Sequence, residues 1–210
     1  MCFKTNQHTP IIAESDNNSI NSSVKILTNG GLIAFPTDTV YGVGALFTNT
    51  SAVKRMYYAK SRALNKAIPI LVGNFSDAWS LAKDVSPSAR NLAKAFWPGP
   101  LSIVVNKNYS VPTIVAPGST VALRSPNHSW LLELLNLVGP LAVSSANISG
   151  ASDSMSCSDV KASFGNELDL IVSGNTNRPS LPSTVVDCSV NPPKIIREGP
   201  ISNASIKTAL

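Results

Sequence analysis

Apolar positions along the chain switch between a helical and a strand period, and the switches predict the elements. Ile20, Val24 and Leu27 recur near helical spacing, and Gly30-Gly31 follows where a C-terminal cap belongs. Residues 32–35 form a short apolar run closed by Pro36, which predicts a buried strand leading into the loop Thr37-Asp38-Thr39-Val40-Tyr41-Gly42. Asn49, Thr50 and Ser51 offer caps to a helix carrying Val53, Met56 and Tyr57, and residues 68–72 read as a second strand. Helices are predicted over 79–83, 87–96 and 130–138, with Trp97-Pro98-Gly99-Pro100 as a hard break. Further strands are predicted over 101–105, 121–124, 141–144, 170–173, 184–187 and 194–197. Apolar strands separated by helices predict an α/β fold with a helix-covered sheet, and the close spacing of the last strands makes that sheet mixed.

With 210 residues, 43% hydrophobic and only 14% charged, the chain has ample material for a core and does not read as disordered. One domain over 20–202 is expected, preceded by a flexible polar segment, 1–19, and followed by a tail, 203–210. No apolar stretch approaches the roughly 20 residues needed to cross a bilayer. The start lacks a secretory core and carries Glu14 and Asp16, so the chain reads as cytoplasmic. Cys2, Cys157 and Cys188 are an odd, scattered set without a C-x-x-C pair, and the two histidines, His8 and His128, lie far apart. Neither set builds a metal site, and none is expected. A Ser-His-Asp hydrolase would have to use His128 without a G-x-S-x-G elbow, so His128 reads as a structural group at a helix start.

The net charge of +5 is matched by one local cluster, Lys54, Arg55, Lys60, Arg62 and Lys66, with no acidic residue between Asp38 and Asp77. Charge alone leaves two readings open. One is a solvated helix end, where cations favour the negative C-terminal turn. The other is a phosphate clamp, with Lys60 and Arg62 best placed between helix and strand. Gly42-Val43-Gly44 lacks the third glycine of a dinucleotide fingerprint, and no Walker-type loop occurs, so any ATP site must rely on side chains. Ser144-Ser145-Ala146-Asn147 follows a strand, as ligand-holding loops often do in open sheets. That segment, Pro182-Ser183-Thr184 and Arg197 each also fit ordinary turns.

In order, these segments resemble the YrdC-like family of threonylcarbamoyl-adenylate synthases, in the short, single-domain form. The resemblance is carried by Gly30-Gly31, Phe35-Pro36-Thr37-Asp38-Thr39-Val40-Tyr41-Gly42, Lys60-Ser61-Arg62, Trp97-Pro98-Gly99-Pro100 and Val121-Ala122-Leu123-Arg124. It continues through Ser145-Ala146-Asn147-Ile148-Ser149-Gly150, Ser183-Thr184-Val185-Val186-Asp187 and Ile196-Arg197-Glu198-Gly199. The chain departs from the family pattern at Ala63, at the segment around Lys66, and at Ala151-Ser152-Asp153.

The resemblance implies a twisted mixed sheet around a large, positively charged cavity, and a reaction joining L-threonine, bicarbonate or carbon dioxide, and ATP, with magnesium entering on the nucleotide. By matching position, Thr39, Arg124 and Ser183 would hold threonine. Lys60, Arg62, Lys66, Thr120, Ser145, Asn147 and Arg197 would line the ATP site, with Lys60 and Arg62 acting by charge and position. The product would pass to a downstream tRNA threonylcarbamoyl transferase. A noncatalytic RNA-binding or nucleotide-sensing relative of the same fold is the alternative, because a basic concavity also attracts a phosphate backbone.

Overall fold

A computed structural model describes residues 8–176 and 181–210. Ten strands make one mixed sheet: β1 (Ile11–Ala13), β2 (Ile33–Phe35), β3 (Gly42–Leu46), β4 (Ile70–Leu71), β5 (Leu101–Asn106), β6 (Thr120–Arg124), β7 (Leu141–Ser145), β8 (Leu170–Ser173), β9 (Thr184–Asp187) and β10 (Lys194–Arg197). Their spatial order is β1-β8-β2-β3-β7-β4-β6-β5-β9-β10. β4 runs parallel to β6, and β5 parallel to β9, while β3–β7, β5–β6 and β9–β10 are antiparallel. The helices are α1 (Ser19–Thr28), α2 (Thr50–Ala59), α3 (Phe75–Ser80), α4 (Pro87–Phe96), α5 (Ser129–Val138), α6 (Cys157–Phe164) and α7 (Asn203–Ala209).

Successive strand side chains point to opposite faces, and the buried residues sort accordingly. Ile33, Phe35, Leu71, Leu141, Val143, Leu170 and Val172 join Leu27 of α1 and Trp130, Leu131, Leu134 and Leu135 of α5 in one cluster. Ala34, Val43, Ala45, Ile70, Ala142 and Ile171 belong to the opposite cluster, with Val53, Met56 and Tyr57 of α2, Leu92 of α4 and Phe164 of α6. Each Leu or Ile buried in this way contributes about 1.5–3 kcal/mol.

Local chemistry sets the helix starts. Asn49 accepts from Ala52 N at the head of α2, and Ser86 accepts from Ala89 N at α4, where Pro87 occupies the first turn. Asn74 accepts from Asp77 N, so α3 begins earlier than the sequence suggested, and Ala82 instead bridges to Lys107.

Two segments depart from the expected boundaries. Part of the lead-in joins the fold. Thr9 Oγ1 donates to Gly165 O at 3.1 Å and Leu168 O at 3.0 Å, and β1 pairs with β8. Residues 1–7, including Cys2, lie outside the described residues. At the far end, residues expected as a tail form α7, capped by Ser202 and anchored by buried Ile206.

No helix among the described residues is long and apolar enough to cross a membrane.

Candidate functional site

The sheet face covered by α1 and α5 is left open further along. There it forms the floor of a cavity of about 380 Å³, bordered by Thr37, Thr39, Arg62, Arg124, Ser145, Asp153, Ser183 and Arg197. Strand alternation puts Pro69 and Leu71, Ala122 and Arg124, and Val143 and Ser145 on this floor. Gly42 keeps the floor low between β2 and β7, and Gly44 leaves room for Phe35 and Val143. A Cβ on Gly42 would sit 2.8 Å from Val143 Cγ1, and one on Gly44 would sit 3.1 Å from the Phe35 ring.

The loop after β2 is tied by its own hydroxyls. Thr37 Oγ1 donates to Val40 O at 2.7 Å, accepts from Thr39 N at 3.1 Å, and lies 3.0 Å from Thr39 Oγ1. Arg124 is held on three sides. Its Nε donates to Gly99 O at 3.1 Å, Nη1 donates to Thr39 Oγ1 at 3.1 Å, and Nη2 pairs with Asp38 Oδ1. Three of the five guanidinium N–H groups are thereby spent, leaving one on each terminal nitrogen. Burial lowers the Arg124 pKa, Asp38 opposes that shift, and neighbouring Arg197 adds to it. The guanidinium stays charged because arginine starts so high.

Also on the lining, Arg197 donates through Nε and Nη2 to Ser183 O at 3.0 and 2.8 Å, and Ser183 Oγ lies 2.8 Å from Ser102 Oγ. Arg62 Nη2 donates to Ala67 O at 2.9 Å, fixing the loop that follows α2. Asp153 is the one carboxylate among the described lining residues, against three arginines.

The structure therefore brings Thr39, Arg62, Arg124, Ser145, Ser183 and Arg197 to the lining of one cavity and leaves four other expected residues off it. Lys60 is 1% exposed, and its ammonium donates to Ser145 O, Asn147 O and Asn147 Oδ1, so it ties α2 to the loop after β7 rather than facing the hollow. Asn147 spends its amide on that loop, accepting from Ser145 Oγ at 2.6 Å and donating to Ala151 O at 2.6 Å. Lys66 sits exposed in the loop after α2, its carbonyl taken by Tyr57 Oη at 2.8 Å. Thr120 follows the same alternation as Ala122 and Arg124, so it prolongs the floor beyond the cavity. Of the remaining cluster, Arg55 pairs with Asp169 at 3.0 Å and Lys54 lies over the Tyr58 ring. His128 heads α5 without a capping bond, 3.3 Å from Glu14, away from the lining. Asp38 was not singled out in the sequence, because nothing local reveals that it meets Arg124 across 86 positions.

Burial, reinforced by Arg62, lowers the Lys60 pKa to about 8, against 10.5 for an ordinary lysine. Between those values the unfolded chain holds more protons than the folded one, so stability rises with pH there. The unfavourable contribution is fully present below about 8 and relieved towards 10.5. Urea unfolding is expected to show wild type gaining on Lys60→Met as pH climbs through that window. A flat difference would show that burial does not penalise the ammonium.

Known proteins share this fold. The Sua5/YciO/YrdC family model, described as telomere recombination, matches residues 25–199. A Pyrococcus abyssi protein named threonylcarbamoyl-AMP synthase is 39% identical over 182 residues, covering 86% of this chain and 54% of that protein. The chain thus spans about half the length of that relative. A Mycobacterium tuberculosis relative is 36% identical over 198 residues, covering 94% of this chain and 91% of its own. The crystal structure of P. abyssi Sua5 complexed with L-threonine superposes with a TM-score of 0.91 at 36% identity, over 96% of this chain and 60% of that one. On the strength of a family match running through nearly every strand that builds the cavity, the chain belongs to the Sua5/YciO/YrdC family.

Proposed function

We propose that this chain condenses L-threonine, bicarbonate or carbon dioxide, and ATP into threonylcarbamoyl-adenylate and diphosphate, for threonylcarbamoyl modification of adenosine 37 beside the tRNA anticodon. The observation that carries this reading is one hollow lined by Thr39, Arg124 and Ser183 together with Arg62, Ser145 and Arg197. The synthase name of the Pyrococcus relative and the threonine bound in the P. abyssi Sua5 crystal structure support it.

The chemistry asks for placement and charge more than for a proton shuttle. The two unspent N–H groups of Arg124 donate to the threonine carboxylate, and Thr39 and Ser183 offer hydroxyls beside it. Threonine's neutral amine adds to carbon dioxide and loses a proton, giving a carbamate. A carbamate oxygen then bonds to the α-phosphorus as the bond to the β-phosphate oxygen breaks, and diphosphate departs. Arg62 and Arg197 offset the charge gathering on the phosphates. Magnesium arrives with ATP as part of that substrate, held chiefly by phosphate oxygens. The product is a mixed anhydride that a tRNA threonylcarbamoyl transferase would consume.

Purified protein is expected to release diphosphate from ATP only when threonine and bicarbonate are both supplied. Binding of ATP or RNA without threonine-dependent turnover would replace this reading with that of a noncatalytic RNA-binding relative.

A further inference from the structure

We propose that Asp38 is a positioning residue for the reaction, holding Arg124 so that its two unspent N–H groups face the threonine carboxylate. The proposal rests on the synthase reading above.

Three features of the structure lead to it. First, the hydroxyl ties among Thr37, Thr39 and Val40 fix the loop so that Thr37 and Thr39 line the cavity while Asp38, between them, does not. Asp38 instead borders a second hollow, beside Trp97, Gly99 and Pro200. It reaches the substrate wall only through Arg124. Second, the other two contacts of Arg124, Gly99 O and Thr39 Oγ1, are neutral and supply direction without charge. Asp38 is the partner that compensates a buried guanidinium with Arg197 nearby. Without that carboxylate, burial and like-charge repulsion both favour Arg124 leaving its seat.

Third, the Asp38 side chain is 2% exposed, and its second oxygen, Oδ2, is buried with no hydrogen-bond partner among the described residues. A carboxylate serving packing alone would be better satisfied or replaced by an apolar group, since an unpaired buried oxygen is costly. That unpaired oxygen fits a carboxylate whose role is the charge it presents to Arg124.

The test is a cycle measured by calorimetry and steady-state kinetics on the full chain: wild type, Asp38→Asn, Arg124→Lys and the double variant. Asp38→Asn is expected to weaken threonine binding by roughly tenfold to a hundredfold, the scale of a misplaced binding group, and to leave the KM for ATP within about twofold. Because Asp38 acts through Arg124, the same substitution in the Arg124→Lys background is expected to cost threonine little more. Threonine affinity equal to or tighter than wild type in Asp38→Asn, or an equal loss in both backgrounds, would overturn the proposal.

Thermal unfolding of each variant separates folding from binding. If Asp38→Asn does not fold, Asp38→Glu carries the test, since it keeps the charge and displaces the carboxylate by one methylene. Weakened threonine with unchanged ATP then supports the role, and unchanged threonine defeats it. Failure of the wild type itself to take up threonine would sink the synthase reading rather than this role within it.

Discussion

Arg124→Met is expected to abolish detectable threonine binding and to lower stability by about 3–5 kcal/mol, the scale for breaking a buried ion pair from one side. Both effects have one origin. Removing the guanidinium takes away the donors facing the cavity and strands the Asp38 carboxylate, whose side chain is 2% exposed, without a counter-ion. The Gly99 and Thr39 oxygens lose their donor as well. Urea unfolding gives the stability change, and calorimetry well below the unfolding midpoint gives the binding change. A loss under about 1 kcal/mol with threonine uptake retained would show that the arginine is peripheral.

The second large effect concerns the nucleotide. Arg62→Ala is expected to raise the KM for ATP by about ten- to a hundredfold, the scale of one or two charge-assisted hydrogen bonds. Lys54→Ala is expected to change it less than about twofold, because that side chain is exposed on the outer side of α2, over Tyr58. The two residues stand eight positions apart in one basic cluster and would be equivalent if that cluster acted only through net charge. Equal kinetic effects would therefore refute a specific phosphate contact at Arg62.

Much of the fold was legible because it follows local rules. The run at 170–173 coincides with β8, since a continuous apolar stretch bounded by turn residues has few other ways to be buried, and the runs at 184–187 and 194–197 coincide with the antiparallel pair β9 and β10. β3 was not legible. Its Gly42 and Gly44 argue against a strand by propensity, yet both are needed where Val143 and Phe35 press on the backbone, a demand that exists only once β2 and β7 flank it. α6 left a signal that passed unread: Ser156 and Asp159 form a capping box ahead of Val160 and Phe164.

At the site, six of the ten residues picked out by motif order line the cavity, and the partners of each charge were not legible. Lys60 looks like a phosphate ligand in one dimension. In three it is consumed by carbonyls 85 and 87 residues away. The Asp38–Arg124 pair was hidden for the same reason: no spacing rule announces an ion pair made between separate loops and strands.

The last two strands attach to the sheet through a single neighbour, since β9 pairs with β5, and β10 pairs with β9 alone. They carry Ser183, just ahead of β9, and Arg197. During synthesis Thr39 and Arg124 leave the ribosome well before Arg197, so the hollow cannot close until β10 has followed them. Peeling β9 and β10 away from β5 would open the hollow at Ser183 and Arg197 while sparing most of the interior.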